Sequence, residues 1–279
     1  MVRRKRKVGS GKNKLGKKKV VLKELRETPS KMKGLKKSVL ASLDKQKGGG
    51  GNKKKGRVST GISGLDEALN GGIPEGHLVL VSGSCGAGKS TLGMQFLREG
   101  AQKGEAGVYI TFEEAPEKVW ANASQFWEVS SLKKKVSVVN PAIYKFGALV
   151  KLIEDAIDKE NAKRVVIDSV SVLSFYLSDA FDVRKGILEL NKKLRKEGAT
   201  IFALSEVPEG SGALSTNGVE EFVSDGVLVL HMLHEGPSMV RALSVRKMRG
   251  TKHSLRLMPL QITESGVEVY PDQEIFAEE

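Results

Sequence analysis

The sequence has a single cysteine, Cys85, in 279 residues, so no intramolecular disulfide can form and a reducing compartment is expected. No run approaches the ~18 apolar residues of a membrane-spanning helix, which argues against a membrane protein. The opening residues, MVRRKRKVGSGKNKLGKKK, are charged but lead into no apolar stretch and do not read as a secretory signal. A soluble, cytoplasmic protein is the expectation. Without a secretion signal, the Asn122-Ala-Ser acceptor pattern carries no meaning. Histidines number four; His231 and His234 stand three apart in a strand-like run with no cysteine nearby, so no zinc site is expected there. Aromatics are scarce at 5%, and Trp127, in QFWEV, reads as a packing residue. No internal repeat is visible.

Acidic residues are nearly missing from one part of the chain. Residues 1–56 hold 21 Lys and Arg against 3 Asp and Glu, a balance of +18, while the remainder holds 25 against 30. The net charge of +13 therefore belongs to the N-terminal part. That part has no aromatic residue and includes KGGGGNKKKG, and such a composition cannot repay the entropy of ordering. Residues 1–56 are expected to be a largely disordered basic tail, with non-specific nucleic acid as its expected partner. One stretch within it, TPSKMKGLKKSVLASLDKQ, has Thr28 as a cap, Pro29 in the first turn, and Met32, Leu35, Val39, Leu40 and Leu43 at helical spacing. It reads as a basic amphipathic helix that orders on a partner.

From residue 57 to residue 279 the texture changes. HLVLVSG, GVYITFE, KRVVIDSV, ATIFALSE and DGVLVLHML read as strands. Lys89 to Glu99 reads as a helix, and so does DVRKGILELNKKLRKEG, with Val183, Ile187, Leu190 and Leu194 on one face and Gly198 ending it. Strands alternating with helices predict an α/β fold with a mostly parallel central sheet. Near the end, LQITESGVEVY reads as a C-terminal β-hairpin turning at Ser265-Gly266.

The strongest motif is GSCGAGKS, Gly83 to Ser90, which fits G-x-x-x-x-G-K-[ST] with a strand before it and a helix after it. Gly83, Gly86 and Gly88 let the backbone fold closely around an anion, and the N–H groups of Ser84, Cys85, Ala87 and the following turn through Thr91 line the cradle. Lys89 is placed to reach the β- and γ-phosphates of a nucleotide and Ser90 to hold Mg²⁺. Cys85 reads as a small filler. The buried strand RVVIDS ends in Asp168, a second oxygen ligand on the metal side. Strand carboxyl ends share one edge of a parallel sheet, so Glu113 and Glu114, at the end of VYITFEE, should arrive near the γ-phosphate. Spacing leaves two readings: carboxylates that orient the attacking water, or acidic residues capping the helix that starts near Pro116.

These segments together resemble the KaiC-like ATPases of the RecA superfamily, common in archaea and known from the cyanobacterial clock. The resemblance runs from about Val58 to Tyr270 and rests on STGISGLDEALNGGIPEG, GSCGAGKSTL, ITFEE, VVIDS, GVEEFVSDGVLVL and VRKMRGTKHS. It implies a RecA-like P-loop NTPase fold, ATP hydrolysis with Mg²⁺, and Glu113 and Glu114 as catalytic carboxylates. It also implies a homo-oligomeric ring, hexameric in the family, with nucleotide between subunits. In that arrangement Lys247 and Arg249 reach the neighbour's γ-phosphate, and Thr251 and His253 lie close to the same nucleotide. Local pattern alone reads KMR as a solvated basic strand whose two cations project to one side. The sequence departs from the clock protein, whose second domain carries a phosphorylated Ser-Thr pair four and three residues before an aspartate. Here Glu221 and Phe222 precede Asp225, and neither accepts a phosphate, so clock-type autokinase activity is not expected. PEGSGALSTNG resembles a mobile loop that touches DNA in recombinases, but it has no basic or aromatic residue. An ATP-sensing scaffold with little turnover and a DNA-acting recombinase relative are the competing readings.

Overall fold

The computed structural model describes residues 56–141, 145–177, 179–194, 198–273 and 275. The basic tail, including the amphipathic stretch Thr28 to Gln46, lies outside the described residues. Among the described residues, no helix is long and apolar enough to cross a membrane.

Among the described residues, nine strands form one sheet. In chain order they are β3 (Leu78–Gly83), β4 (Gly107–Thr111), β5 (Val136–Val139), β6 (Arg164–Asp168), β7 (Thr200–Glu206), β8 (Gly226–Glu235), β9 (Ser238–Met248), β10 (Leu257–Thr263) and β11 (Gly266–Val269). Two short strands, β1 (Arg57–Val58) and β2 (Ile73–Pro74), pair separately. The spatial order of the large sheet is β11-β10-β9-β8-β3-β7-β6-β4-β5. The six strands from β8 to β5 are parallel. The last three pair antiparallel, giving the expected α/β architecture with a C-terminal hairpin.

Strand β3 explains why LVLVSG is apolar without interruption. It sits between β7 and β8, and all six of its residues are buried. Its alternate side chains feed two cores. Val79 and Val81 join Leu92, Phe96 and Leu97 of helix α2 (Lys89–Gln102) together with Phe202 and Trp127. Leu78 and Leu80 join the opposite layer, built on helices α4 (Phe146–Glu160) and α5 (Ala180–Leu194). Val183, Ile187 and Leu190 bury the predicted face of α5. Shorter helices are α1 (Leu65–Ala68), α3 (Pro116–Ala123) and α6 (Glu220–Val223).

Two expected boundaries move. Strand β4 stops at Thr111, not Glu113, because residues 112–114 bend away and Glu114 N–H donates to Thr111 Oγ1 at 3.1 Å. The hairpin turns at Glu264-Ser265, not Ser265-Gly266, since Gly266 already pairs with Thr263. Gly266 is required for close approach: with φ at 110°, a Cβ there would lie 2.4 Å from Gln95 Oε1 and 2.7 Å from the Trp127 ring. Trp127 is the packing residue expected, its indole N–H donating to Ser265 O at 2.9 Å.

A buried arginine ties the start of the domain to α2. Arg164 is 1% exposed, donates to Glu105 at 2.6 Å, to Ser59 O at 2.7 Å and to Phe96 O at 2.9 Å, and lies over the Phe96 ring. Arg164→Ala leaves two carbonyls without that donor and opens a void, so a loss of about 3–5 kcal/mol is expected. Urea unfolding of the two proteins measures it; a loss under ~1 kcal/mol would contradict this account.

Candidate functional site

The phosphate loop spans the end of β3 and the start of α2. Gly86 has φ at 74° and Gly88 at 101°, backbone that favours glycine. Gly83 is needed for a different reason: a Cβ there would meet Leu230 O of β8 at 2.8 Å. Gly88 is the N-cap of α2 and no side chain caps the helix, so its first-turn N–H groups are left to face an anion. Ser84, Ala87 and Lys89 are buried, whereas Cys85, Gly86 and Ser90 are exposed and Thr91 is half-buried. Lys89 Nζ donates to Gly83 O and Ser84 O, both at 2.9 Å. Burial lowers its pKa, with Glu206 and Asp168 opposing that effect. Arg241 of β9 donates from Nε to Gly86 O at 3.0 Å and so braces the loop from outside.

Strand pairing sets out the carboxylates beside this loop. Thr111 pairs with Asp168, Asp168 with Leu204, and Gly83 with Glu206, so the ends of β4, β6 and β7 flank the end of β3. Ser90 Oγ donates to Asp168 Oδ2 at 2.7 Å, and Tyr109 OH donates to the same oxygen. Burial, then the Asp168 charge, pushes the Tyr109 hydroxyl well above its usual range. Ser90 and Asp168 thus form a hard oxygen pair. Mg²⁺ usually takes one or two carboxylates, with phosphates and waters filling its other positions, so the pair fits that ion. Among the described residues, no group of three or more His, Cys, Asp or Glu could hold a metal ion by itself. His231 pairs instead with Ser244 Oγ at 2.8 Å.

The two neighbouring glutamates part company. Glu114 turns onto α3, its carboxylate 2.8 Å from Lys118 Nζ and accepting from Asn122 at 3.4 Å. Glu113 stays exposed at the edge. Partial desolvation raises its pKa, and the charges of Glu206, Asp168 and Glu114 add to this while Lys89 opposes it. The N-cap of α3 is Ala115 and makes no side-chain capping bond, so neither glutamate caps that helix.

The basic segment lies at the other edge. Gly226 pairs with both Met248 and Val79, and Arg249 N–H donates to Asp225 O, beside the start of β3; the phosphate loop follows its end. With five residues rising ~3.3 Å each, about 17 Å of strand separates the two edges. Lys247 Nζ donates to Glu221 O at 2.8 Å. Arg249 donates to Phe222 O at 3.3 Å and pairs with Asp225 at 3.3 Å. Their side chains therefore do converge, on the 221–225 backbone. Thr251 Oγ1 is buried without a hydrogen-bond partner, and His253 Nδ1 lies 2.9 Å from Ser254 O. Within one chain, none of these four residues meets the phosphate loop. Glu206 and Arg241 are the site-edge residues that sequence patterns miss; a terminal Glu on ATIFALSE was the one visible hint.

Residues 58–274 match the family model described as ATPase: KaiC. The chain belongs to the KaiC family. Its relatives include a UPF0273 protein of Pyrococcus horikoshii, 38% identical over 78% of this chain and 95% of that one. The circadian clock oscillator protein KaiC of Parathermosynechococcus lividus is 36% identical over 77% of this chain but 42% of its own length. The crystal structure of a KaiC-like protein from Pyrococcus horikoshii superposes with a TM-score of 0.71 at 36% identity, covering 78% of this chain and all of that one. This KaiC-family chain thus has a KaiC-like neighbour in fold as well as relatives in sequence.

Proposed function

We propose that this KaiC-family protein is a Mg²⁺-dependent ATP hydrolase working as a ring, hexameric by analogy with the family, with nucleotide between subunits. One observation carries the reading: the phosphate loop and the Lys247/Arg249 pair occupy opposite edges of the same sheet. A ring that places one subunit's cationic edge against its neighbour's phosphate edge completes the site, and a lone chain cannot.

The chain's own residues would divide the work as follows. The loop N–H groups and Lys89 hold the β- and γ-phosphates, which requires Lys89 to exchange its two carbonyl partners for phosphate oxygens. Ser90 and Asp168 hold Mg²⁺, which would neutralise charge on the transferred phosphoryl group. Glu113 orients the attacking water and accepts its proton. Lys247 and Arg249 of the neighbour, with Thr251 and His253 nearby, close the site. Sedimentation with ATP and with ADP, alongside steady-state turnover, tests the whole: ATP-dependent assembly with turnover is expected. Assembly with negligible turnover would favour an ATP-sensing scaffold instead.

The tail adds a separate activity to the proposal, non-specific binding of nucleic acid through its +18 charge. Deleting residues 1–56 is expected to remove that binding and its steep decline with salt, read by fluorescence anisotropy on an unstructured oligonucleotide. Unchanged affinity in the truncated protein would sink it.

A further inference from the structure

Glu206 ends β7 in register with Gly83, the first residue of the phosphate loop. Its neighbour Val207 donates to Gly83 O at 3.3 Å, the carbonyl that Lys89 Nζ also holds at 2.9 Å. Its own backbone is pinned on both sides: Glu206 N–H donates to Ser171 Oγ at 3.0 Å, and Thr216 Oγ1 donates to Glu206 O at 2.6 Å. Ser171 and Thr216 bond each other at 2.7 Å, which closes the base of the segment between β7 and α6. The result is an exposed carboxylate on a fixed backbone. Of the charges acting on Lys89, and again of those acting on Glu113, that of Glu206 is the largest. Glu114 is occupied on α3 by Lys118 and Asn122.

We propose that the carboxylate working with Glu113 is Glu206, placed across the phosphate edge from it, and that Glu114 anchors the first turn of α3. This rests on the hydrolase reading. A water held between the two carboxylates donates one hydrogen to each. Its oxygen forms the bond to the γ-phosphorus as the bond from that phosphorus to the β–γ bridging oxygen breaks. Glu113 takes the proton, and ADP and inorganic phosphate leave. Glu206 keeps its charge throughout and acts as a positioning residue, fixing the second hydrogen so that the water's lone pair faces phosphorus. An anionic Glu206 cannot replace a phosphate-binding group, so its loss should act on kcat and not on ATP affinity.

The test uses the full chain with Mg²⁺ and ATP, comparing Glu113→Gln, Glu114→Gln, Glu206→Gln and Glu206→Asp for kcat, KM and ADP affinity. Glu206→Gln is expected to lower kcat about 10²-fold with KM and ADP affinity nearly unchanged. Glu206→Asp, which keeps the charge, should recover part of the loss; a purely structural role would show no such recovery and would lower ADP affinity as well. Glu114→Gln should lose at least about tenfold less than Glu113→Gln. Turnover of Glu206→Gln within a few-fold of wild type, or equal losses at Glu113 and Glu114, would overturn the pairing alone. A wild type that binds ATP without turning it over would overturn the hydrolase reading and this pairing with it.

Discussion

Replacing Arg249 with alanine is expected to lower kcat by about 10³- to 10⁵-fold, the range of an arginine finger, while each subunit still binds ATP. Arg249 sits at the strand-start edge, its side chain 55% exposed, with one carbonyl and one carboxylate as partners. Asp225, the carboxylate, also accepts from Leu78 N–H at 3.2 Å, so the substitution leaves it held. Asp225 is buried, its side chain only 3% exposed, so losing this partner should cost about 1–3 kcal/mol of stability, a loss small enough to leave the domain folded and one that melting curves measure before turnover is compared. Any large fall in turnover must then come from the site that Arg249 serves. If that site belongs to the neighbour, Arg249→Ala subunits mixed with Glu113→Gln subunits will recover turnover that neither shows alone. Each boundary with an intact Glu113 on one side and an intact Arg249 on the other is complete. Mixtures that stay inactive, from rings shown to exchange subunits, would reject the contact in trans.

How much of this could be read from residues alone depends on how local each feature is. The candidate phosphate loop is eight consecutive residues whose proposed work is done by backbone, so its glycines and lysine mark the candidate site outright. Asp168 is legible because its strand is buried on both faces and ends at the right edge. The partners of these groups are not local. Glu206 meets Gly83 through strand pairing, and Arg241 reaches Gly86 across 155 residues; a strand-end position is the only local mark on Glu206, and Arg241 has none. Glu113 and Glu114 look equivalent in sequence, and the bend after Thr111, together with Lys118 one helical turn on, separates them. Several elements of the fold went unpredicted, β5 and α4 among them. Strand β5 has four residues and follows a run of three lysines, too short to show alternation. Helix α4 has Leu149, Val150, Ile153 and Ile157 at full helical spacing, a pattern as clear as that of α5.

Glu113→Gln is expected to lower kcat by about 10²- to 10⁴-fold, the range for removing a general base, without weakening ATP binding. Binding should survive because the loop N–H groups, Lys89 and Ser90 are untouched, and because one negative charge leaves the phosphate edge. The same charge makes a stability prediction of opposite sign. Partial desolvation, then the charges of Glu206, Asp168 and Glu114, raise the proton affinity of Glu113 in the folded protein, so its ionised form opposes folding at neutral pH. That opposition fades as pH falls below the unfolded carboxylate range, where both states hold the proton. Glutamine removes it, so the variant should melt at or slightly above the wild-type temperature at pH 7 and lose the advantage in acid. The wild-type acid limb of kcat/KM, which reports the free enzyme, should also be shifted up from that of an ordinary glutamate, since the base must be ionised to act. An inactive variant that melts lower than wild type at pH 7 would mean that Glu113 supports the fold. An inactive variant that is equally or more stable, with ADP affinity intact, is the signature of a charge kept at this edge for chemistry.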